Sequence, residues 1–469
     1  MYLVKLTTRH LKIKQSIIIL IVLLFSTHAH AQENSPYSRY GIGDLVPNQN
    51  ITNRGMGGIS IGYADYGLIG HPFNINLNNP ASLGNLSNTK NFSNAIFDIG
   101  GEVDFLTLKS NTSTEKFSSR NAVMSYLQIA FPISTKKMEK NGNSWAMSFG
   151  LKPISRINYK IEHNIKDNAI DSINTLYEGY GGVNQINVSS GYKKIGRGIH
   201  KNALCVGISS GLTFGNKDYS TKTSIINDSV SYYRFNYEVK SRFSGLFINT
   251  GLQYEIHLKN SSVLRLGAFA NLQQNLKAKQ SAYNETFGYD YNGGEVKIDS
   301  ILFQEDIKGK VTLPLSYGTG FTYQSKNKQW LIGVDYECTN WSKYKYYENN
   351  EITSNSWTLR AGVEYYPVKG NGNNKKFIDY IKYRTGFYFG PDYIKTINAR
   401  NNFAVTGGFS LPLTTPRYIQ SRGEYVTLNT SFEIGNKGSN PSIGIKETFT
   451  RINFGISMNA RWFQKRSYD

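Results

Sequence analysis

From about residue 94 to the C-terminus the chain alternates apolar and polar residues with a period of two. Ile452, Phe454, Ile456, Met458, Ala460 and Trp462 interleave with Asn453, Gly455, Ser457, Asn459 and Arg461. Leu246/Ile248/Leu252/Tyr254, Trp357/Leu359/Ala361/Val363/Tyr365 and Val426/Leu428/Thr430/Phe432/Ile434 repeat the pattern. Such alternation belongs to β-strands with one apolar face. Runs of this kind fall near 94–108, 121–133, 144–163, 182–193, 202–214, 231–258, 262–275, 311–324, 329–340, 355–366, 379–391, 402–412, 424–435 and 445–463. That makes about 14 strands, an even number of the sort bacterial membrane barrels use. Alternation alone does not say which face meets water, but the connections do. With both termini on one side, Lys259–Ser261 and Ser325–Lys328 are short turns there, whereas 276–310 is a long loop opposite. The expected fold is all-β, a transmembrane antiparallel β-barrel over 91–469. The run 231–258 changes parity near Arg242 to Gly245, which predicts a bulge or two strands.

Composition agrees. The chain has 33 Tyr, 25 Phe and 44 Gly but only 12 Pro, and no late stretch approaches the roughly 20 apolar residues of a spanning helix. Residues 1–31 read as a signal peptide. Lys5, Arg9, Lys12 and Lys14 precede the apolar run Ser16–Phe25, and Ala29-His30-Ala31 forms an A-x-A site. Export to the outer membrane of a Gram-negative cell follows. The formal charge of +20 invites a nucleic-acid reading, yet the basic residues sit in turn segments such as Lys136-Lys137 and Lys193-Lys194. Solvated turns and anionic lipid head groups of the outer membrane are the expected neighbours, and no nucleic acid is. Cys205 and Cys338 fall on opposite faces by parity, so no disulfide is expected.

The segment before the strands differs. Residues 32–90 show no alternation and are rich in Asn, Gly and Pro. Within them Arg54–Leu83 carries Gly55, Gly57 and Gly58 and ends on Asn79-Pro80-Ala81-Ser82. The spacing lacks the Gly-Lys-Ser/Thr ending of a phosphate loop, and no helical pattern follows. The segment resembles the N-terminal region of the FadL-type family of long-chain fatty-acid transporters, in a divergent branch that also includes PorV-type barrels. Gly181-Gly182-Val183-Asn184-Gln185, Leu313-Pro314-Leu315-Ser316-Tyr317-Gly318, Asp335 and Trp341-Ser342-Lys343-Tyr344 extend the resemblance. It implies that 32–90 forms a hatch inside the barrel, with Gly55, Gly57, Gly58, Asn79 and Pro80 in it. Ser82 stands where the transporters commonly carry Gly.

Pro153 interrupts the third strand. Proline removes a ladder donor, so a plain strand break or turn is one reading. The resemblance implies another: a third-strand kink that opens the wall sideways. Arg360, Glu364 and Arg384 fall on polar faces, where charges are expected to point into the lumen. They suit a network bracing hatch against wall, or a ligand carboxylate. Asp98, Glu102 and Asp104 share one face and read as solvated acids. No HExxH, GxSxG or Cys/His metal spacing is present, so neither catalysis nor cofactor is expected. The resemblance implies hatch-gated passive uptake of hydrophobic or amphipathic small molecules, long-chain fatty-acid-like. The alternative is a non-transporting barrel, a scaffold or shuttle partner of a secretion or surface-assembly system. Aromatics in 276–310 suit either.

Overall fold

The computed structural model describes residues 35–65, 74–86, 94–110, 116–167, 171–198, 201–227, 230, 232–368, 376–395, 400–415, 424–438 and 444–461. The expected signal peptide, the C-terminal Gln464–Asp469, and His71 and His200 lie outside them. Fourteen antiparallel strands close into a barrel. In chain order they are β1 (Asn94–Lys109), β2 (Lys116–Pro132), β3 (Ser144–Asp167), β4 (Asp171–Ile195), β5 (Ala203–Ile226) and β6 (Arg234–His257). β7 runs as Val263–Asn271 continued by Gln274–Tyr289, and β8 as Glu295–Leu313 continued by Ser316–Gln324. β9 (Trp330–Thr339), β10 (Ser356–Tyr365), β11 (Lys382–Pro391), β12 (Asn401–Pro412), β13 (Tyr425–Lys437) and β14 (Lys446–Arg461) complete it. β14 pairs with β1 to close the ring. Among the described residues no helix is long and apolar enough to cross a membrane.

The alternation has one physical meaning throughout. Val206, Ile208, Leu246, Ile248, Leu252, Phe321, Ile332, Phe387, Val405 and Phe454 are exposed on the outer face. Their chain neighbours Ser209, Gln253, Thr322, Leu331, Thr406 and Asn453 are buried toward the lumen. β9 and β10, of 10 residues each, have the length that about 9–11 tilted residues need to cross a bilayer. The two cysteines are free.

Two sequence readings are corrected. The segment 276–310 is not a loop: it is the upper parts of β7 and β8, paired with each other and joined around Asp290–Gly294. Residues 295–306 are exposed on both faces, and the buried positions Ala278 and Ala282 on β7 are small, so no strong apolar alternation betrays the segment. Nor is β6 split near Arg242. Exposed and buried residues alternate unbroken from Lys240 to Tyr254, and β6 merely changes partner from the upper to the lower segment of β7 there. The asymmetry between the two ends therefore lies in the strands rather than the loops. β3 to β8 rise far above β9 to β14, so the barrel has one tall half and one low half.

Residues 35–65 and 74–86 fill the lumen. Ile51, Met56, Ile59, Ile61 and Tyr63 are wholly buried. At the end where β1 begins and β14 finishes, Leu83 and Leu86 pack with Ile75, Ile96, Ala130 and Ala146. Toward the opposite end, Ile42 joins Phe243, Leu276, Val311, Trp341, Tyr344 and Tyr393 in an apolar cluster.

Candidate functional site

The lumen segment is held by close backbone approach, by capped turns and by buried charge. Asn50 caps the one-turn helix Ile51–Arg54, its side chain accepting from Asn53 N at 2.8 Å. Gly57 follows at φ +73°, and a Cβ there would stand 2.6 Å from the carbonyl oxygens of Ala361 and Phe387. The wall answers with glycines of its own: Gly362 and Gly386 lie under Met56, and Gly408 lies under Gly55. Gly57 N donates to Thr406 Oγ1 at 2.8 Å, and Gly58 packs on the Arg360 side chain.

The Asn79-Pro80 pair does similar work lower down. Asn79 Oδ1 accepts from Ala81 N at 3.1 Å, and Pro80 opens the 3₁₀ turn Pro80–Asn85, where its missing N–H costs nothing. Asn79 Nδ2 donates to Ile61 O at 2.8 Å and reaches the wall carbonyls of Leu252 and Ala268 at 3.3 Å. Gly207 lets the Pro80–Ala81 backbone lie directly on the wall.

Charge fixes the rest. Arg54 bridges Glu102 on β1 at 2.6 Å and Glu433 on β13 at 2.5 Å. Asp335 Oδ2 accepts from Ser60 N and Ile61 N at 2.6 and 2.7 Å. Asp98 accepts from Tyr126 Oη, Ser457 Oγ and Ile75 N. Asp98, Glu102 and Asp104 are thus buried rather than solvated, which corrects the sequence reading. Burying such charges requires partners, and those partners come from the lumen segment and from the wall residues Tyr126, Ser457, Arg156 and Arg451. Glu364 and Arg384 are buried on β10 and β11. Arg384 binds Glu364 at 2.7 Å and Ser410 at 2.6 Å, while Lys382 joins Glu364 to Asp65 of the lumen segment. Arg360 stands apart from them. It pairs with Glu337 at 2.6 Å and lines a cavity.

That cavity, about 240 Å³, lies between the lumen segment and β3 to β14. Leu45, Val46, Ile154, Phe247, Phe269 and Leu313 are among its apolar lining, and Lys152, Arg360, Glu337, Glu433 and Arg451 among its charged lining. Lys152 has no hydrogen-bond or ion-pair partner among the described residues. Sequence reasoning gave no role to Lys152, Arg54 or Glu433, and took Asp335 only as part of the resemblance. An arginine inside a Gly-rich segment was the available signal.

Pro153 lies beside the cavity at a break in the wall. The β2–β3 ladder runs only from Pro132↔Ala146 to Leu127↔Leu151 and stops there. Beyond it β3 bulges between Pro153 and Ser155 against β4. The vacant edge of β3 is taken by the lumen segment: Asp44 and Leu45 pair with Arg156 and Ser155, and Val46 N donates to Ile154 O at 2.9 Å. Ser38 Oγ bonds both N and O of Asn158.

Comparison with known proteins places the chain. The family model described as BamG matches residues 12–469. The chain belongs to the BamG family. No curated protein matches it. In fold this BamG-family barrel is similar to the Pseudomonas putida toluene transporter TodX, with a TM-score of 0.50 at 13% identity over 90% of this chain and 100% of that one. The Ralstonia pickettii toluene transporter TbuX gives 0.49 at 15% identity, over 89% and 99% of the two chains. A Pseudomonas aeruginosa FadL homologue gives 0.49 at 12% identity, over 90% and 99%. The expected FadL-type architecture is borne out, and at these identities the likeness is one of fold. Among the described residues no group of His, Cys, Asp and Glu is placed to hold a metal ion.

Proposed function

We propose that this outer-membrane barrel passes hydrophobic or amphipathic small molecules by passive uptake, with the lumen segment as gate and the β2–β3 seam as side exit. The observation that carries the reading is the seam itself. A wall ladder ends beside Pro153, and a piece of the gate closes the space where the wall opens onto the cavity. A cavity lined by both apolar and charged side chains suits an amphipath whose carboxylate meets Lys152 and Arg360 while its tail lies on Leu45, Ile154 and Phe247. At about 240 Å³ the cavity is smaller than the roughly 300–1,000 Å³ of most small-molecule sites. Entry of a long chain therefore requires Asp44–Val46 to move.

The test is flux of a labelled long-chain fatty acid into liposomes containing the barrel. Cysteines replace Leu45 and Ser155 in a Cys205→Ala/Cys338→Ala background. Opposed antiparallel residues lie about 4.5–5.5 Å apart, within disulfide reach. Oxidation should stop saturable uptake at least tenfold and reduction should restore it. A matching pair, Ile99→Cys with Ile456→Cys across the closing seam, should leave flux unchanged. Uptake indifferent to the Leu45–Ser155 bridge would defeat the side exit.

One observation favours the second reading, a non-transporting scaffold. Trp341 and Tyr393 pack in an apolar cluster toward the upper end, while the tall half exposes Ile301, Leu302 and Phe303. Absence of both saturable binding and flux in the unmodified protein would select it.

A further inference from the structure

The outer face of the tall half carries a compact block of cations. Lys240 and Arg242 on β6, Lys277 and Lys279 on β7, and Lys308 and Lys310 on β8 are all exposed, and alternate with buried Ser241, Phe243, Leu276, Ala278 and Val311. The register stacks them. Arg242 faces Lys279, which faces Lys308; one layer lower, Ser244 faces Lys277, which faces Lys310. Like charges directly opposite on neighbouring strands destabilise a sheet, and this arrangement repeats the conflict in two successive layers. Local acids relieve only part of it. Lys279 pairs with Asp306 at 3.1 Å and Lys240 with Glu238 at 3.0 Å. Among the described residues no carboxylate pairs with Arg242, Lys277, Lys308 or Lys310.

The height of the block matters as much as its charge. Directly below it on the same face come Leu246, 74% exposed, and Ile248, then Tyr317 and Phe321 on β8. The surface thus changes from cationic to apolar within one residue layer, on the side of the barrel away from the end that Asn94 and Arg461 mark. A lipid whose tails lie on Leu246 and Phe321 places its head group against the six cations.

We propose that this block binds phosphate-bearing head groups of lipids in the outer leaflet. Phosphate oxygens between the rows replace repulsion by charge-assisted hydrogen bonds, which Arg242 can make in bidentate form. The lysines add the general attraction of a basic surface for anionic lipid. The role is independent of whether the barrel transports, since no residue of the block lines the lumen.

The experiment is binding of fluorescent lipid A to the purified barrel in neutral detergent, beside the same lipid stripped of its phosphates. Arg242→Gln/Lys279→Gln/Lys308→Gln should weaken binding of the phosphorylated form at least tenfold and flatten its salt dependence. Lys136→Gln/Lys137→Gln/Lys140→Gln, on the opposite rim, should change it less than twofold. All six cations are exposed, so the variant should fold, as heat-modifiable migration would verify. Equal binding of the two lipids, or of the triple variant and the unmodified barrel, overturns the proposal. Complete displacement by inorganic phosphate at the lipid's own concentration would also overturn it, by making free phosphate the ligand.

Discussion

The barrel has two seams worth setting side by side. At the closing seam, β14 and β1 pair residue for residue from Lys446↔Lys109 to Arg461↔Asn94 with no shift. At the β2–β3 seam the ladder covers only Leu127–Pro132 against Ala146–Leu151, although both strands continue well beyond it. The weaker join is therefore not where the ends of the sheet meet but between two strands adjacent in sequence. Unpaired strand edges are normally paired or covered. Here the cover is borrowed from the lumen segment, whose main chain stands in for the missing stretch of β2. The same segment treats the closing seam differently. It touches that side through Arg54, held by Glu102 on β1 and Glu433 on β13. One attachment is a buried charge cluster, the other a short strip of backbone pairing. The first suits an anchor and the second a latch.

The largest expected effect comes from breaking the anchor. Arg54→Met leaves Glu102 and Glu433 buried without their shared cation, and losing one partner of a buried pair typically costs about 3–5 kcal/mol. The variant should lose thermal stability and expose 35–65 to protease while β1 and β14 stay paired. Protection of that segment equal to the unmodified protein would mean the charge cluster is not the anchor. A smaller effect is expected at the latch. Pro153→Val allows a regular strand where the bulge now is, and should lower fatty-acid flux severalfold while leaving heat-modifiable migration unchanged. Flux equal to the unmodified barrel would remove Pro153 from the exit.

The contrast also explains how far the sequence could be read. The strands announced themselves because lipid demands an apolar residue at every second position, so Val405 to Phe454 repeat one rule. The upper part of β8 escaped because water bathes both its faces, and register is then weakly written. Glycines and Asn79-Pro80 marked the lumen segment, yet the reason for them lies in Gly362, Gly386 and Gly408, which touch it only after the barrel closes. The ion pairs were hidden by separation: Arg54 and Glu433 are 379 residues apart. Without Arg54, Glu102 reads as one more solvated acid. Pro153 was visible as an anomaly, but the end of the β2–β3 ladder beside it depends on which strand lies next to which.

The smallest effect concerns pH, and it separates latch from closing seam most finely. Asp44 sits in the borrowed strip, 3.4 Å from Lys437. Burial by itself would raise its carboxyl, but Lys437, backed by Arg400 and Arg451, outweighs burial and holds it below the usual 3.8. A carboxyl lowered in the folded state contributes its full stability above the unfolded value and loses it as pH falls through the folded one. The strip should therefore stay equally latched from pH 8 to 5 and loosen only below about 4. Hydrogen exchange at Leu45 and Val46 should accelerate there, once intrinsic exchange rates are corrected for, before that of β1 and β14 amides. Asp44→Asn should abolish this pH step, giving modestly faster exchange at every pH. A step surviving in that variant would assign it to Glu102 or another buried acid, and the latch would then be held by its backbone pairing alone.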